Sequence, residues 1–161
     1  MIISVIGEGR ATPEIANLAE QVGRELASRD VQIVCGGLGG VMAAACKGAK
    51  SAGGTTIGIL PGSDPDDANE WVDLPLCTGL GYARNVMIVM SSRAVVAVGG
   101  AFGTLSEIAH ALGDGIPVIG LETWTMSRQG SEDGTIVRAH SPADAVSKAM
   151  AAAESRRSRV R

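Results

Sequence analysis

The sequence predicts a single Rossmann-like α/β domain, in which a doubly wound, mainly parallel sheet carries helices on both faces. Three observations support this fold class. Short apolar runs alternate with helix-length segments along the whole chain, and glycine or proline stands at most junctions. The runs are continuous stretches of Val, Ile, Leu and Ala, as expected for parallel strands that are buried on both faces. The chain has 161 residues, of which 45% are hydrophobic, which fits one domain with a substantial core.

The first half of the chain predicts four strands and two long helices. The strands are predicted at Ile2–Ile6, Val31–Cys35, Thr55–Leu60 and Trp71–Thr78. The fourth strand is confined to a sheet edge because Pro75 has no N–H to donate to a neighbouring strand. Thr12 caps the first helix, since Pro13 follows it and proline is favoured at the first helical position. The second helix is predicted from Val41 to Ala52, where two glycines end it.

The second half continues the alternation of helices and strands. Helices are predicted at 82–92, 104–112 and 141–153, and strands at Ala94–Val98, Pro117–Leu121 and Thr135–Ala139. Residues 122–134 are predicted to form a loop. One domain therefore spans residues 1–153. The remaining segment, 154–161, has four arginines in its last six positions and is predicted to be a basic, disordered tail.

Composition excludes several classes of protein. A chain with 19% charged residues and this many apolar ones is not intrinsically disordered, and its net charge of −3 argues against a nucleic-acid partner. No apolar run reaches the roughly 18 residues that span a membrane, and no signal peptide precedes the first strand. We therefore expect a cytoplasmic protein without a membrane partner. Cys35, Cys46 and Cys77 form no C-x-x-C pair, so we expect reduced thiols and no metal site.

Three glycine clusters, at 7–9, 36–40 and 99–103, each follow a predicted strand and precede a helix. Ligands of open α/β sheets bind beyond the carboxyl ends of the strands, where bare backbone N–H groups and helix N-termini attract anions. The cluster at 99–103 is the best phosphate cradle because a threonine hydroxyl follows it. The alternative is three tight turns without a ligand. The residues predicted to bind the ligand or its phosphate are Gly7, Gly36, Gly37, Gly39, Gly40, Gly99, Gly100, Gly103 and Thr104.

The familiar nucleotide-binding signatures are absent from these clusters. The first cluster lacks the third glycine of G-x-G-x-x-G, and no acidic residue ends the second strand to hold a ribose hydroxyl. The sequence also has no G-x-x-x-x-G-K-[ST] segment. These departures disfavour an NAD enzyme and exclude a P-loop NTPase.

Arg84 and Glu107 are the candidate catalytic residues. Both lie at the glycine-rich end of the predicted sheet, where a cation and a carboxylate beside an anion site suit hydrolysis at a glycosidic carbon. The alternatives are a surface charge for Arg84 and a helix-start carboxylate for Glu107, within the first helical turn. His110 follows Glu107 at the spacing of a di-iron ligand pair, but only one copy is present, so we interpret His110 as structural.

The segment 82–92 also predicts an oligomer. Its residues 86–90 are Val, Met, Ile, Val and Met, which cover almost every face of a helix. A helix that is apolar all round must be buried on all sides. In a small single-sheet domain this requires a second copy, so we expect a homodimer or a higher homo-oligomer through this helix.

Four glycine-containing segments, 36–42, 54–62, 79–85 and 99–107, occur in an order that resembles a known superfamily. It was once labelled "possible lysine decarboxylase" and includes the Lonely Guy phosphoribohydrolases, which activate cytokinins. Within it, the short chain and the Gly-Leu-Gly-x-Ala-Arg segment at 79–84 most resemble the molybdenum-cofactor carrier proteins. The decarboxylase label is not implied, because nothing here resembles a pyridoxal-phosphate lysine site.

The resemblance implies a Rossmann-like homo-oligomer with a phosphate site on the 99–104 loop. Arg84 and Glu107 match the catalytic pair of the hydrolases, but carrier-type members also keep an Arg and a Glu there. Two departures from the hydrolase pattern are present. Val98 replaces the proline of P-G-G-x-G-T, with one extra residue in the loop, and Asn85 replaces a lysine.

Two functions follow as hypotheses. The first is a carrier that binds a phosphorylated nucleotide-like or pterin-like ligand, such as a bound nucleotide or the molybdenum cofactor. The second is a nucleoside 5′-monophosphate phosphoribohydrolase that releases the free base and ribose 5-phosphate. In the second, Glu107 is the carboxylate at the ribose carbon and Arg84 holds the substrate. We favour the carrier, because chain length and local motifs match it better.

Overall fold

The computed structural model describes residues 1–159 and the side chains of residues 1–156. Its strands are β1 (Ile2–Gly7), β2 (Gln32–Cys35), β3 (Thr56–Leu60), β4 (Leu74–Cys77), β5 (Val95–Val98), β6 (Val118–Leu121), β7 (Ser127–Arg128), β8 (Ser131–Glu132) and β9 (Ile136–Arg138). Its α-helices are α1 (Pro13–Ala27), α2 (Val41–Ser51), α3 (Asn85–Met90), α4 (Phe102–Gly113) and α5 (Pro142–Arg159). Two short 3₁₀ helices lie at Pro65–Asp67 and Gly81–Arg84.

Seven strands form one sheet in the order β4-β3-β2-β1-β5-β6-β9, and every pairing in it is parallel. The predicted α/β fold class is confirmed. The chain moves outward from β1 to β4, then crosses to the other side of β1 and continues from β5 to β9. The point between β1 and β5 is therefore the topological switch point, where open α/β sheets bind ligands.

Both faces of the sheet are covered by helices. Residues of α1, α2 and α5 form one apolar core with the alternate side chains Ile3 and Val5 of β1. Ile6 points the opposite way and belongs to a second core with α3 and α4. Both cores consist mainly of Val, Ile, Leu and Ala, as the near absence of aromatic residues requires.

The helix start predicted at Thr12 is confirmed. The Thr12 side chain accepts a hydrogen bond from the backbone N–H of Ile15 at 3.4 Å, and Pro13 is the first helical residue. The edge position predicted from Pro75 is also confirmed, because β4 is the outermost strand and pairs with β3 alone in the described sheet. β4 is shorter than the predicted Trp71–Thr78.

The predicted helix 82–92 is wrong in its form. A 3₁₀ turn at Gly81–Arg84 precedes a six-residue α3, and the helix ends at Met90. The tighter turn places Arg84 and Asn85 in the interior while Tyr82, beside them in sequence, is exposed. Met87 and Met90 are exposed as well, so this segment is not buried on all sides within one copy of the chain.

Three other boundaries differ from the prediction. Segment 122–134 contains a small antiparallel pair, β7 and β8, rather than only a loop. α4 begins at Phe102, so Thr104 lies within its first turn and Glu107 in its second turn. α5 continues past Ala153 to Arg159, and Arg156 Nη1 donates to the Ser92 carbonyl at 3.3 Å, a contact that ties this turn to the domain. Of the predicted tail, residues 160 and 161 lie outside the described residues.

Candidate functional site

A cavity of about 470 Å³ opens at the carboxyl ends of β1 and β5, the switch point of the sheet. Its wall combines the first two glycine-rich turns with the 3₁₀ turn before α3 and the start of α4. The lining residues are Gly7, Glu8, Gly9, Leu38, Met42, Pro61, Gly81, Tyr82, Arg84, Asn85, Ala101, Gly103, Thr104 and Glu107. Its volume is in the range of small-molecule sites. The fold therefore brings both predicted catalytic residues to one cavity.

Arg84 is buried in the cavity wall and is only 8% exposed. Its Nη1 donates to Asn85 Oδ1, and its Nη2 lies 3.4 Å from the Gly36 carbonyl. Its Nε has no hydrogen-bond partner within the part of the chain that the structure describes. Burial lowers the pKa of Arg84, while the nearby Glu107 carboxylate opposes that effect. An unpaired, buried guanidinium donor is costly to a fold unless a ligand acceptor meets it.

Glu107 lies on α4 and is only 6% exposed. Its Oε1 is 3.9 Å from Arg84 Nη1, the outer limit of an ion pair. Burial raises the pKa of Glu107 to about 7, and the positive charge of Arg84 offsets only part of this rise. A carboxyl group with that pKa exists in both protonation states near neutral pH, so it can donate or accept a proton.

The 99–103 turn that was predicted to cradle phosphate already holds a carboxylate of the chain. The backbone N–H of Gly100 donates to Glu8 Oε2. Gly99 and Gly100 have φ of +57° and +130°, conformations that side chains rarely adopt. A Cβ at Gly99 would lie 3.1 Å from Glu8 Oε2, so the turn fits closely around this carboxylate.

Some of the remaining predicted glycines line the cavity, and the others lie in the turns around it. Gly7 and Gly103 line the cavity, as does Thr104. Gly36 leaves space for the guanidinium, since a Cβ there would lie 2.8 Å from Arg84 Nη2. Four others support the turns outside this lining, namely Gly37, Gly39, Gly40 and Gly99. Gly100 and Gly99 border a shallow neighbouring cavity with Trp124.

A second deep cavity, of about 440 Å³, lies between the end of β6, the β7–β8 pair and β9. Thr123 Oγ1 and Trp124 Nε1, both from residues that line it, are buried without a hydrogen-bond partner among the described residues. Its lining shares no residue with the cavity at the switch point, and neither Arg84 nor Glu107 borders it. We therefore take the first cavity as the candidate site.

Two features of the site region were not anticipated from the sequence. The first is Glu8, a charged residue directly after a buried strand and between two glycines, which is a usable sequence signal for a ligand site. Cys35 and Cys46 have sulfur atoms 3.5 Å apart in the interior. The hydrogen bond between the two thiols lowers the pKa of Cys35 and, with burial, raises that of Cys46. Nothing in their spacing of eleven residues predicts this contact.

A metal-binding cluster and a membrane-spanning helix are both absent from the described residues. No cluster of three or more His, Cys, Asp or Glu side chains among them could hold a metal ion. None of the helices within residues 1–159 is long and apolar enough to cross a bilayer.

Comparison with known families identifies the fold family. Residues 1–146 match the SLOG cluster4 family. The chain belongs to this family. A relative from Archaeoglobus fulgidus, an uncharacterized protein, is 47% identical over 122 residues, which is 76% of this chain and 80% of the relative.

Among solved structures, two proteins with a named ligand are similar to this SLOG cluster4 chain. The molybdenum cofactor binding protein of Rippkaea orientalis is 38% identical, with a TM-score of 0.85 and coverage of 93% of this chain and 95% of that chain. The molybdenum cofactor carrier protein of Chlamydomonas reinhardtii is 35% identical, with a TM-score of 0.82 and coverage of 94% and 97%. The resemblance to carrier proteins that the short chain and the 79–84 segment indicate is confirmed.

More distant structures share only the fold. DNA processing protein A of Helicobacter pylori has a TM-score of 0.69 at 20% identity, covering 94% of this chain and 80% of that chain. Its single-stranded DNA binding is therefore a property of that protein, and no function follows from it for this SLOG cluster4 chain.

Proposed function

We propose that this chain is a binding or carrier protein for a phosphorylated pterin, with the molybdenum cofactor as its cargo. The observation that carries the proposal is the likeness, over more than nine-tenths of the chain, to the cofactor-binding proteins of Rippkaea orientalis and Chlamydomonas reinhardtii. The cavity at the switch point is the part of this chain that best suits such a ligand.

The cavity has a polar end and an apolar wall. Backbone N–H groups of the first turn of α4, near Gly103 and Thr104, favour an anion such as the phosphate of the cargo. The guanidinium of Arg84, which lines the same cavity, adds a positive charge. Leu38 and Met42 line the same cavity and offer an apolar surface against which a flat ring can pack.

Phosphoribohydrolase activity is the second candidate, and one observation favours it. The buried carboxyl group of Glu107, with a pKa near 7, opens onto the cavity at 3.9 Å from Arg84. A group of this kind can activate water or stabilise positive charge at a glycosidic carbon. A carrier has no need of this acid–base character.

Two assays on the same preparations separate the functions. The first incubates the protein with AMP and with N6-isopentenyl AMP and measures free base by chromatography. The second mixes the protein with molybdenum cofactor without oxygen, removes unbound cofactor by gel filtration, and measures the retained pterin by fluorescence after oxidation. The carrier proposal expects retained pterin and no base. It is wrong if no pterin is retained.

The Glu107→Gln variant then assigns the residue. Base release by the wild type that disappears in Glu107→Gln, with substrate binding retained, would establish the hydrolase. A carrier keeps its retained pterin in this variant to within a few fold, because glutamine preserves the shape of the wall. Glu70→Gln is the matched control, since it removes one exposed carboxylate from the loop before β4.

We also propose that the chain forms a homodimer or a higher homo-oligomer through residues 82–92. Tyr82 is 88% exposed and Met90 is 60% exposed, and Met87 and Leu80 extend the same apolar segment. Tyr82 also lines the candidate cavity, so a second copy on this surface would border the ligand. Exposed apolar surface beside a ligand site is typical of an interface.

A further inference from the structure

The side chain of Glu8 lies beside the switch-point cavity and accepts a backbone N–H of the 99–100 turn. It lies in the loop after β1 and lines both the candidate cavity and the shallow cavity beside the 99–100 turn. Its Oε2 accepts the N–H of Gly100, a backbone donor of the turn that leads into α4. This N–H group is therefore not free for a ligand while Glu8 keeps this position.

A second observation, an unsatisfied buried donor, also indicates a ligand at this cavity. Arg84 is more than nine-tenths buried, and its Nε has no partner among residues 1–156. It lines the cavity together with Glu8 and Gly103. Glu8 therefore connects the cavity that contains this buried donor with the Gly100 N–H, which borders the shallow neighbouring cavity.

The charges around the cavity decide what can enter. Its charged lining groups are Glu8, Arg84 and Glu107, and Arg84 is already paired with Glu107 at 3.9 Å. An incoming anion therefore meets a net negative or neutral wall rather than a positive one. Like charges in close proximity oppose binding, and a doubly charged phosphate group gains more from the helix N-terminus than a single carboxylate does.

We propose that Glu8 is an internal, displaceable occupant of the 99–100 turn and a specificity-determining residue for the ligand. This inference rests on the proposed function, because it assumes that the cavity receives a phosphorylated ligand. A phosphate group displaces the Glu8 side chain and takes the Gly100 N–H, whereas a singly charged carboxylate does not. The ligand preference of the site then follows from competition with a residue of the chain.

The test measures anion binding to the wild type, Glu8→Gln, Glu8→Ala and the control Glu70→Gln. Inorganic phosphate is titrated by calorimetry, and each protein is also unfolded thermally with increasing phosphate or acetate. We expect phosphate to bind Glu8→Gln and Glu8→Ala about tenfold more tightly than the wild type, since a charged competitor has been removed. Acetate should raise the melting temperature of Glu8→Ala, in which the Gly100 N–H is free. It should leave the melting temperatures of the wild type and Glu70→Gln unchanged.

Glu8→Gln retains an oxygen acceptor for Gly100, so it separates loss of charge from loss of the turn. Phosphate affinity that is unchanged or weaker in both Glu8 variants would overturn the inference, as would undetectable phosphate binding to all four proteins. An equal effect in Glu70→Gln would also overturn it, because general charge would then explain the change.

Pterin retention by the wild type distinguishes the two proposals. If the wild type retains molybdenum cofactor but the Glu8 variants bind phosphate no better, the function stands and the role of Glu8 is wrong. If phosphate affinity rises as expected but no pterin is retained, Glu8 has the proposed role in a site for another phosphorylated ligand.

Discussion

The carboxyl group of Glu107 illustrates how one buried side chain makes stability depend on pH. Its pKa is about 7 in the folded protein against an ordinary value of 4.5, because burial disfavours the charged form. Folding therefore favours the protonated group. Its stabilising contribution is complete below about pH 4.5 and is lost as the pH rises through 7.

We predict that the free energy of unfolding of the wild type falls relative to Glu107→Gln by about 2 kcal/mol between pH 5 and pH 8. Glutamine is neutral at both values, so the difference between the two proteins isolates the titration of residue 107. Urea unfolding of both at each pH measures it. A difference that stays constant with pH would show that Glu107 is ionised throughout.

Two glycines of the cavity wall should respond in opposite ways to alanine. A Cβ at Gly7 would overlap the Val98 carbonyl and lie 2.6 Å from a Val41 methyl group. Gly7→Ala should therefore lower the free energy of unfolding by about 2–4 kcal/mol. Gly103 has open space at the same position, within helix α4, so Gly103→Ala should leave stability unchanged or raise it by up to about 1 kcal/mol.

Ligand binding by the Gly103→Ala variant tests whether this wall belongs to the site. The methyl group of Gly103→Ala enters the cavity, so this stable variant should retain less pterin than the wild type in the gel-filtration assay. Full retention would show that the first turn of α4 is not part of the ligand site.

At the level of elements, helices α1 and α2 touch backbone to backbone. A Cβ at Gly23 of α1 would overlap the Ala45 carbonyl, and one at Gly48 of α2 would overlap the Glu20 carbonyl. Both residues are buried, and the two helices share one core. Reciprocal glycines thus fix the distance between the helices that hold β1 and β2 in place.

We predict that Gly23→Ala and Gly48→Ala each lower the free energy of unfolding by about 2–4 kcal/mol, because the helices must separate to admit a methyl group. Gly113→Ala, at the end of α4 with nothing within 4 Å of the new Cβ, is the control and should be neutral. Denaturant melts of the three variants measure the differences. An undisturbed Gly48→Ala protein would contradict the close contact.

The sequence predicted correctly those elements that are determined by a few neighbouring residues. Thr12 with Pro13 identified the start of α1, and Pro75 identified an edge strand, because each effect acts within a few residues. The 3₁₀ turn at Gly81–Arg84 was missed, since an apolar run does not distinguish a short helix from a longer one. α5 passes its predicted end, and in its added turns Arg156 contacts the Ser92 carbonyl, a tertiary contact that no local rule predicts.

The sequence predicted which residues lie at the candidate site, but not the contacts that they make there. Arg84 and Glu107 line one cavity, as their places beside glycine-rich turns suggested. The Gly100 N–H holds Glu8, and Cys35 contacts Cys46. These contacts join segments that are distant in sequence or lie on different elements, so no spacing rule reports them. Gly36, which the sequence predicts to bind the ligand, also makes room for the Arg84 guanidinium, and no local pattern indicates that role.

At the scale of the whole molecule, the exposed apolar segment 82–92 carries a prediction about assembly. Met90→Lys places a charge in the proposed interface and should shift the protein toward monomer by at least about tenfold in dissociation constant. Val137→Lys, on the exposed part of β9, is the matched control and should not. Sedimentation velocity over a range of concentrations measures both. A monomeric wild type would contradict the proposed oligomer.

The strand order also constrains how the chain is made. Of the strands in this sheet, β1 leaves the ribosome before the others, and β2, β3 and β4 can then add in turn on one side of it. Its other edge has no partner in the sheet until Val95–Val98 has been synthesised, so the whole segment from β2 to α3 is translated beside an unpaired edge of the central strand. The switch-point cavity needs both β1 and the turn after β5. During translation, the ligand site therefore cannot form until β5 and the start of α4 have been synthesised.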